Sequence, residues 1–175
     1  MAHDDSLAPL WAVLEPLTDP EIPVVSLREL GILREVRRAA DGMAEVVITP
    51  TYSGCPAMGQ IEDDVRAALA GAGLQARVVT QLSPAWTTDW MAPAAREKLR
   101  AYGIAPPQCG ATPATPTGHA NVIRFAPPPG SAPAIACPQC GSTRTTETSP
   151  FGSTACKALY RCLDCLEPFD YFKPY

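Results

Sequence analysis

Two Cys-x-x-Cys pairs sit near the end of this 175-residue chain, and they restrict what it can fold into more than anything upstream. The first is Cys137-Pro138-Gln139-Cys140, followed by Gly141, and the second is Cys162-Leu163-Asp164-Cys165. Two thiols three positions apart on a tight turn can face one ion, and Gly141 supplies the permissive backbone that such a turn needs. With twenty-one residues between the pairs, the layout is that of a four-thiolate tetrahedral site, a zinc ribbon. Four protein ligands leave no open position for water, so the expected zinc is structural rather than catalytic. A rubredoxin-like iron site is the main rival, because the same knuckles bind it. A module of about forty residues buries too little surface to fold alone, which makes the metal the expected source of its stability. Cys156 is a fifth thiol that tetrahedral zinc does not require. It is either a small apolar residue packed in a strand or a spare, exchangeable ligand. Lys157, Arg161 and Arg144 are close enough in sequence to offset the negative charge of a four-thiolate zinc centre.

Composition bears on the alternative, a pair of disulfides. The start Met-Ala-His-Asp-Asp lacks the basic and apolar run of a signal peptide, and no apolar stretch approaches the ~20 residues of a transmembrane helix. The expectation is a cytoplasmic chain with no membrane contact, where thiols bind metal or react rather than pair. Net charge is −4, and residues 1–104 carry nine Lys/Arg against fourteen Asp/Glu. Neither that half nor the remainder, with five against four, forms a basic surface for nucleic acid.

The expected fold is α+β: a small two-layer domain with a three-stranded sheet and helices, then a β-rich zinc ribbon. Leu7, Leu10, Trp11 and Leu14 recur at helical spacing, and Pro16, Pro20 and Pro23 prevent that helix from continuing. Ile32 to Arg38 and Ala44 to Thr49 read as strands joined through Asp41-Gly42, a hairpin signal. Met58, Ile61, Val65, Ala68, Leu69 and Ala72 form a helical stripe that Gly71 and Gly73 terminate. Ala76 to Leu82 makes a third strand, and a last helix starts at Pro93 and passes Leu99 to Tyr102. The domain is expected over 1–104 and the ribbon over 135–175. Between them, 105–134 reads as a Pro-rich linker, since eight of the twenty prolines fall in 106–133 and such composition favours a semi-stiff tether. Asn121 to Phe125 is a candidate short strand inside it.

Cys55 precedes Pro56, which suits the first position of a helix. The thiol would then sit at the helix N-cap, where unpaired N–H groups and the dipole favour a thiolate. The same residue could equally cap or pack without chemistry. Asp19 and Glu21, in Asp19-Pro20-Glu21-Ile22-Pro23, either shape a turn or form paired carboxylates near the Cys55 loop, and the residues favour the turn. Trp86 and Trp90 are expected to cover the edge of the small core. His3 and His119 read as solvated bystanders, which leaves no evident general base.

The Asp19-to-Pro23 run, Leu30-Gly31-Ile32 and Thr49-Pro50-Thr51-Tyr52-Ser53-Gly54-Cys55-Pro56 resemble the metal–sulfur cluster biosynthesis domain of iron–sulfur assembly factors. The run from Phe151 to Cys162 (FGSTACKALYRC), followed by Glu167-Pro168-Phe169-Asp170-Tyr171-Phe172-Lys173, resembles the PaaD (PaaJ) family, accessory subunits of phenylacetyl-CoA epoxidase. The likeness covers about residues 1–104 and 135–175. It implies a non-catalytic subunit that helps mature the metal centres of a multicomponent, di-iron, ring-epoxidising oxygenase in phenylacetate catabolism. On that resemblance Cys55 is the functional thiol, with Asp19 and Glu21 in the signature loop. Iron or an iron–sulfur cluster would pass over the chain transiently, and the partners would be the oxygenase and reductase components or iron–sulfur assembly proteins. The chain's own chemistry agrees by exclusion. It has no Glu-x-x-His pairs for a di-iron site, no Cys-x₄-Cys-x₂-Cys run for a plant-type ferredoxin cluster and no Gly-rich nucleotide loop. A structural adaptor and a Cys55-dependent thiol enzyme are the competing readings.

Overall fold

The computed structural model describes residues 5–108 and 134–175. It divides into two compact units, residues 1–102 and 103–175. The expected tether strand at 121–125, together with His3, Cys109 and His119, lies outside the described residues.

In the first unit the element order follows the apolar pattern. Helix α1 (Ala8–Leu14) carries Pro9 in its first turn and buries Leu10 and Leu14. Strands β1 (Leu33–Arg38) and β2 (Ala44–Ile48) pair antiparallel. The loop between them closes with Ala39 N–H donating to Met43 O and Gly42 N–H to Ala39 O, and Gly42 stands at φ +82°. That left-handed residue at the end of the loop is the reason for the Asp-Gly signal. Helix α2 (Met58–Gly71) buries Ile61, Val65 and Leu69. It ends in a Schellman motif, with Gly73 left-handed at φ +68° and the Leu74 N–H donating to Leu69 O. Strand β3 (Arg77–Thr80) then pairs parallel to β2, and α3 (Pro93–Tyr102) follows.

The sheet order β1-β2-β3 makes β2 central, and every residue of β2 is buried. One of them is Glu45. Its carboxylate accepts from Arg37 on β1 at 3.1 Å and from Arg77 on β3 at 3.2 Å, and Arg77 also reaches Asp41 at 2.8 Å. A carboxylate in a central strand is tolerable only when paired in this way.

The second unit is a four-stranded sheet ordered β4-β7-β6-β5. Strands β5 (Thr145–Ser149), β6 (Lys157–Cys162) and β7 (Pro168–Phe172) form an antiparallel meander. Strand β4 (Ile104–Ala105) pairs parallel to β7. Its two residues, which the sequence divided between the first module and the linker, are thus strand residues of the ribbon unit's sheet. Ala105, Ile135, Cys137, Ala158, Cys162, Phe169 and Tyr171 form the unit's buried cluster, with Tyr160 packed against it.

Candidate functional site

The two knuckles converge. The Sγ atoms of Cys137, Cys140, Cys162 and Cys165 all lie within 4.8 Å of one another, and they are the group of possible ligands found among the described residues. Cys137 and Cys165 stand 3.7 Å apart, and Cys140 and Cys162 3.5 Å. Tetrahedral zinc with ~2.3 Å bonds requires S···S edges of about 3.8 Å, and these two edges are close to that length. A metal here would neutralise thiolate charge and cross-link the two turns.

Local sequence explains the convergence. In the first knuckle, Gly141 N–H donates to Cys137 O and Cys137 N–H to Ser142 O, with Gly141 at φ +76°. In the second, the Asp164 and Cys165 N–H groups point at Cys162 Sγ from 3.4 and 3.5 Å. Leu166 occupies the position equivalent to Gly141 at φ +67°, an unusual conformation for a leucine. Asp164 ties the two turns together, accepting from the Ser142 hydroxyl and, at 2.7 Å, from Arg144.

The electrostatics suit a cation. The Cys165 N–H is the chief reason the Cys162 thiol is held down to about 6. At Cys165 the Glu167 N–H acts in the same direction, but burial and the three neighbouring thiols outweigh it and push the thiol up to about 12. Cys162 therefore yields a thiolate readily and Cys165 holds its proton. Further deprotonation needs a positive ion among the sulfurs.

Of the basic residues expected to offset that charge, Arg144 and Arg161 lie at the knuckles, with Arg161 Nε donating to Leu166 O at 3.3 Å. Lys157 does not. It is buried and faces Asp170 Oδ2 at 3.8 Å. Gly152 packs beside this pair so closely that a Cβ there would lie 2.9 Å from Asp170 Oδ1. Cys156 stands outside the four-thiol group, buried, with its sulfur 3.0 Å from Thr154 Oγ1.

In the first unit, sheet topology gathers what sequence separates. Leu33, the start of β1, is opposite Ile48, the end of β2, and β3 runs parallel to β2. The segment before β1 (residues 18–32), the loop after β2 (49–57) and the loop after β3 (81–87) therefore join the sheet at the same end. Thr49 N–H donating to Ile32 O and Gln81 N–H donating to Ile48 O extend the ladder to that end. Asp19, Glu21, Cys55 and Trp86 all belong to these segments.

Each side chain has a definite local setting there. Asp19 is buried, and its carboxylate accepts the N–H groups of Glu21 and Ile22, both at 2.9 Å. It shapes the turn, as its position before a proline suggests. Glu21 is half-buried. Trp86 is buried and donates Nε1–H to Leu30 O at 3.0 Å. Trp90 is half-buried, with the Arg34 guanidinium 3.4 Å from its ring centroid. Cys55 is half-buried and is not a helix cap. The N-cap of α2 is Ala57, and Cys55 belongs to the preceding turns, its N–H donating to Tyr52 O and its carbonyl accepting from Met58 N–H. Two successive turns carry the chain past Pro56 before the first helical bond, Ile61 N–H to Ala57 O. Cys55 therefore stands two residues before the N-cap rather than at it.

The comparisons with known proteins follow the same division. The family described as iron–sulfur cluster assembly protein matches residues 8–81, and the PaaD zinc beta ribbon domain matches 126–173. An Escherichia coli K12 protein, called a putative 1,2-phenylacetyl-CoA epoxidase subunit, is 48% identical over 165 residues, which is 94% of this chain and 90% of that protein. The chain belongs to the PaaD family. Within the PaaD architecture, the N-terminal part is also shared with proteins that lack this length. Fe–S protein maturation auxiliary factors from Bacillus subtilis and Porphyromonas gingivalis are 33% and 34% identical, covering 53% and 50% of this chain and 84% of each factor. A solved domain of unknown function from Bacillus anthracis is 30% identical, covers 53% of this chain and 89% of that one, and superposes with a TM-score of 0.47. Among the described residues, no helix is long and apolar enough to cross a membrane.

Proposed function

We propose that this PaaD-family chain is an accessory maturation subunit of a multicomponent phenylacetyl-CoA ring epoxidase and assists assembly of that system's iron–sulfur or di-iron centres. The observation that carries the reading is the near full-length match to a protein named as an epoxidase subunit, joined in one chain to a domain shared with Fe–S maturation factors. The chemistry of the chain is consistent with it. The ribbon cysteines form a closed four-ligand group, suited to one structural zinc with no site for substrate. In the first unit the Cys55 loop follows β2, and the segment that holds Asp19 and Glu21 leads into β1, whose Leu33 lies opposite Ile48. Cys55 is the thiol that would take hold of iron or a cluster in transit. Its partners are the oxygenase and reductase components, or the assembly proteins that supply them.

Complementation tests this. In cells lacking the chain, the oxygenase proteins accumulate but are short of iron or cluster. The wild-type gene restores them, and Cys55→Ala does not, although that variant keeps its fold and ribbon metal. Full epoxidase activity and normal iron content with Cys55→Ala would overturn the maturation role and leave an adaptor.

A further inference from the structure

The ribbon sheet contains a strand that lies outside the metal-binding sequence. Strand β4 is Ile104–Ala105, upstream of both knuckles, and it pairs with β7 through Ile104 opposite Asp170 and Ala105 opposite Tyr171. Ala105 is 1% exposed and belongs to the same buried cluster as the ligands Cys137 and Cys162. Gly103 stands at φ +94°, and a Cβ placed on it would be 3.4 Å from Nε2 of Gln139, the residue before Cys140. Beyond β4, the Gln108 side chain donates to Ala134 O at 2.7 Å, holding residue 108 at the strand's return point. Helix α3 ends at Tyr102. A single residue, Gly103, therefore separates the last helix of the first unit from the first strand of the second.

We propose that the ribbon metal is the latch of this junction. With the ion on its four thiolates, β4 is held against β7; when the ion leaves, residues 103–108 come off the sheet and the first unit ends in an unpinned tail. The inference rests on the four-cysteine metal site of the proposed function. A two-residue strand has no stability of its own. It persists because β7 and the buried cluster give it a surface, and that cluster includes two of the four ligands. Linkage then works in both directions. Whatever loosens β4 must weaken metal binding by the same factor by which metal loss loosens β4. The state of the metal is thereby transmitted to the residues next to the unit that carries Cys55. A thiolate site can be emptied by chelation or by oxidation of its sulfurs.

Hydrogen–deuterium exchange on the full chain, metal-loaded and chelator-stripped, with metal counted by mass spectrometry, tests the latch. Since Pro106 and Pro107 carry no N–H, the readout over 104–108 is the Ile104, Ala105 and Gln108 amides, which the loaded protein is expected to protect. Stripping should raise exchange there about tenfold or more, together with β6 and β7, while β1 and β2 stay unchanged. Ala105→Asp, which replaces none of the four ligands, is expected to lower zinc retention by about tenfold against a chromophoric chelator. Stripped protein with 104–108 still protected refutes the latch, as does unchanged zinc retention in Ala105→Asp. A chain that carries no metal yet keeps a folded ribbon refutes the metal reading itself, and the latch with it.

Discussion

Replacing Gly31 by Ala probes how the segment leading into β1 is built. Gly31 precedes β1, is buried, and stands at φ +75°. A Cβ at this point would lie 2.8 Å from the carbonyl oxygen and 2.9 Å from Cβ of Trp90. Both are atoms of, or fixed to, the backbone of the 88–90 turn, which also binds back through Ala92 N–H to Glu29 O. No flexible side chain can move aside. The left-handed conformation costs alanine roughly 1–2 kcal/mol, and overpacking against a fixed neighbour typically adds about 1–3 kcal/mol. The sum, ~2–5 kcal/mol, is comparable to the total stability of a marginal domain. For a unit of about 100 residues, each kcal/mol shifts Tm by ~4–8 °C. Calorimetry of the metal-loaded protein should therefore show the first unit's transition lowered by at least about 8 °C, with the ribbon transition in place. A shift below ~3 °C would refute the packing argument and mean that the 88–90 turn yields freely.

Other expectations follow from the second unit and its surroundings. Cys162→Ser removes a ligand and should abolish stoichiometric zinc, unfolding β5 to β7 and releasing β4 while β1 to β3 remain folded; limited proteolysis reads this, and survival of the ribbon without metal would contradict it. Leu166→Gly should raise ribbon stability by about 1 kcal/mol, because the left-handed position favours glycine; a lower denaturation midpoint would show that the Leu166 side chain contributes packing that outweighs its strain. Burial, and then the Glu147 carboxylate that accepts from its hydroxyl at 3.1 Å, push Tyr160 up to about 12. The fold thus favours the neutral phenol, and the stability this contributes is complete below the ordinary tyrosine range and lost as pH rises toward 12. Spectrophotometric titration should find Tyr160 ionising late, and Glu147→Gln should bring it earlier; an unshifted titration in that variant would exclude Glu147 as a cause.

The parts of this structure legible in the sequence were those with local causes. The knuckle spacing located the ligand group, Asp41-Gly42 located the hairpin, and the Ile61-Val65-Leu69 stripe located α2, since turn chemistry and apolar period act within a few residues. Strand β4 was not legible. Two residues carry no period, and only their pairing with β7 makes them a strand. The burial of Glu45 was not legible either. Its burial depends on β2 being central, a property of sheet order, and on Arg37 and Arg77 arriving from both neighbours. Cys55 illustrates a local signal that another local feature overrode. Cys-Pro suggested a helix start, yet the Tyr52 and Cys55 carbonyls capture N–H groups in turns first, and the helix begins at Met58. That the loop after β3, with Trp86, leaves the sheet at the same end as the loop after β2 likewise required knowing that β3 runs parallel to β2.

Reconstitution from separately purified, fully iron-loaded oxygenase and reductase components, with and without this chain, tests the central claim most directly. A maturation subunit is dispensable once the metal centres are complete, so epoxide formation from phenylacetyl-CoA should proceed at the same rate in its absence. Apo components should need the chain, iron and intact Cys55 to reach that rate. If loaded components stay inactive until the chain is added in stoichiometric amounts, it is a working part of the oxygenase and the maturation account is wrong.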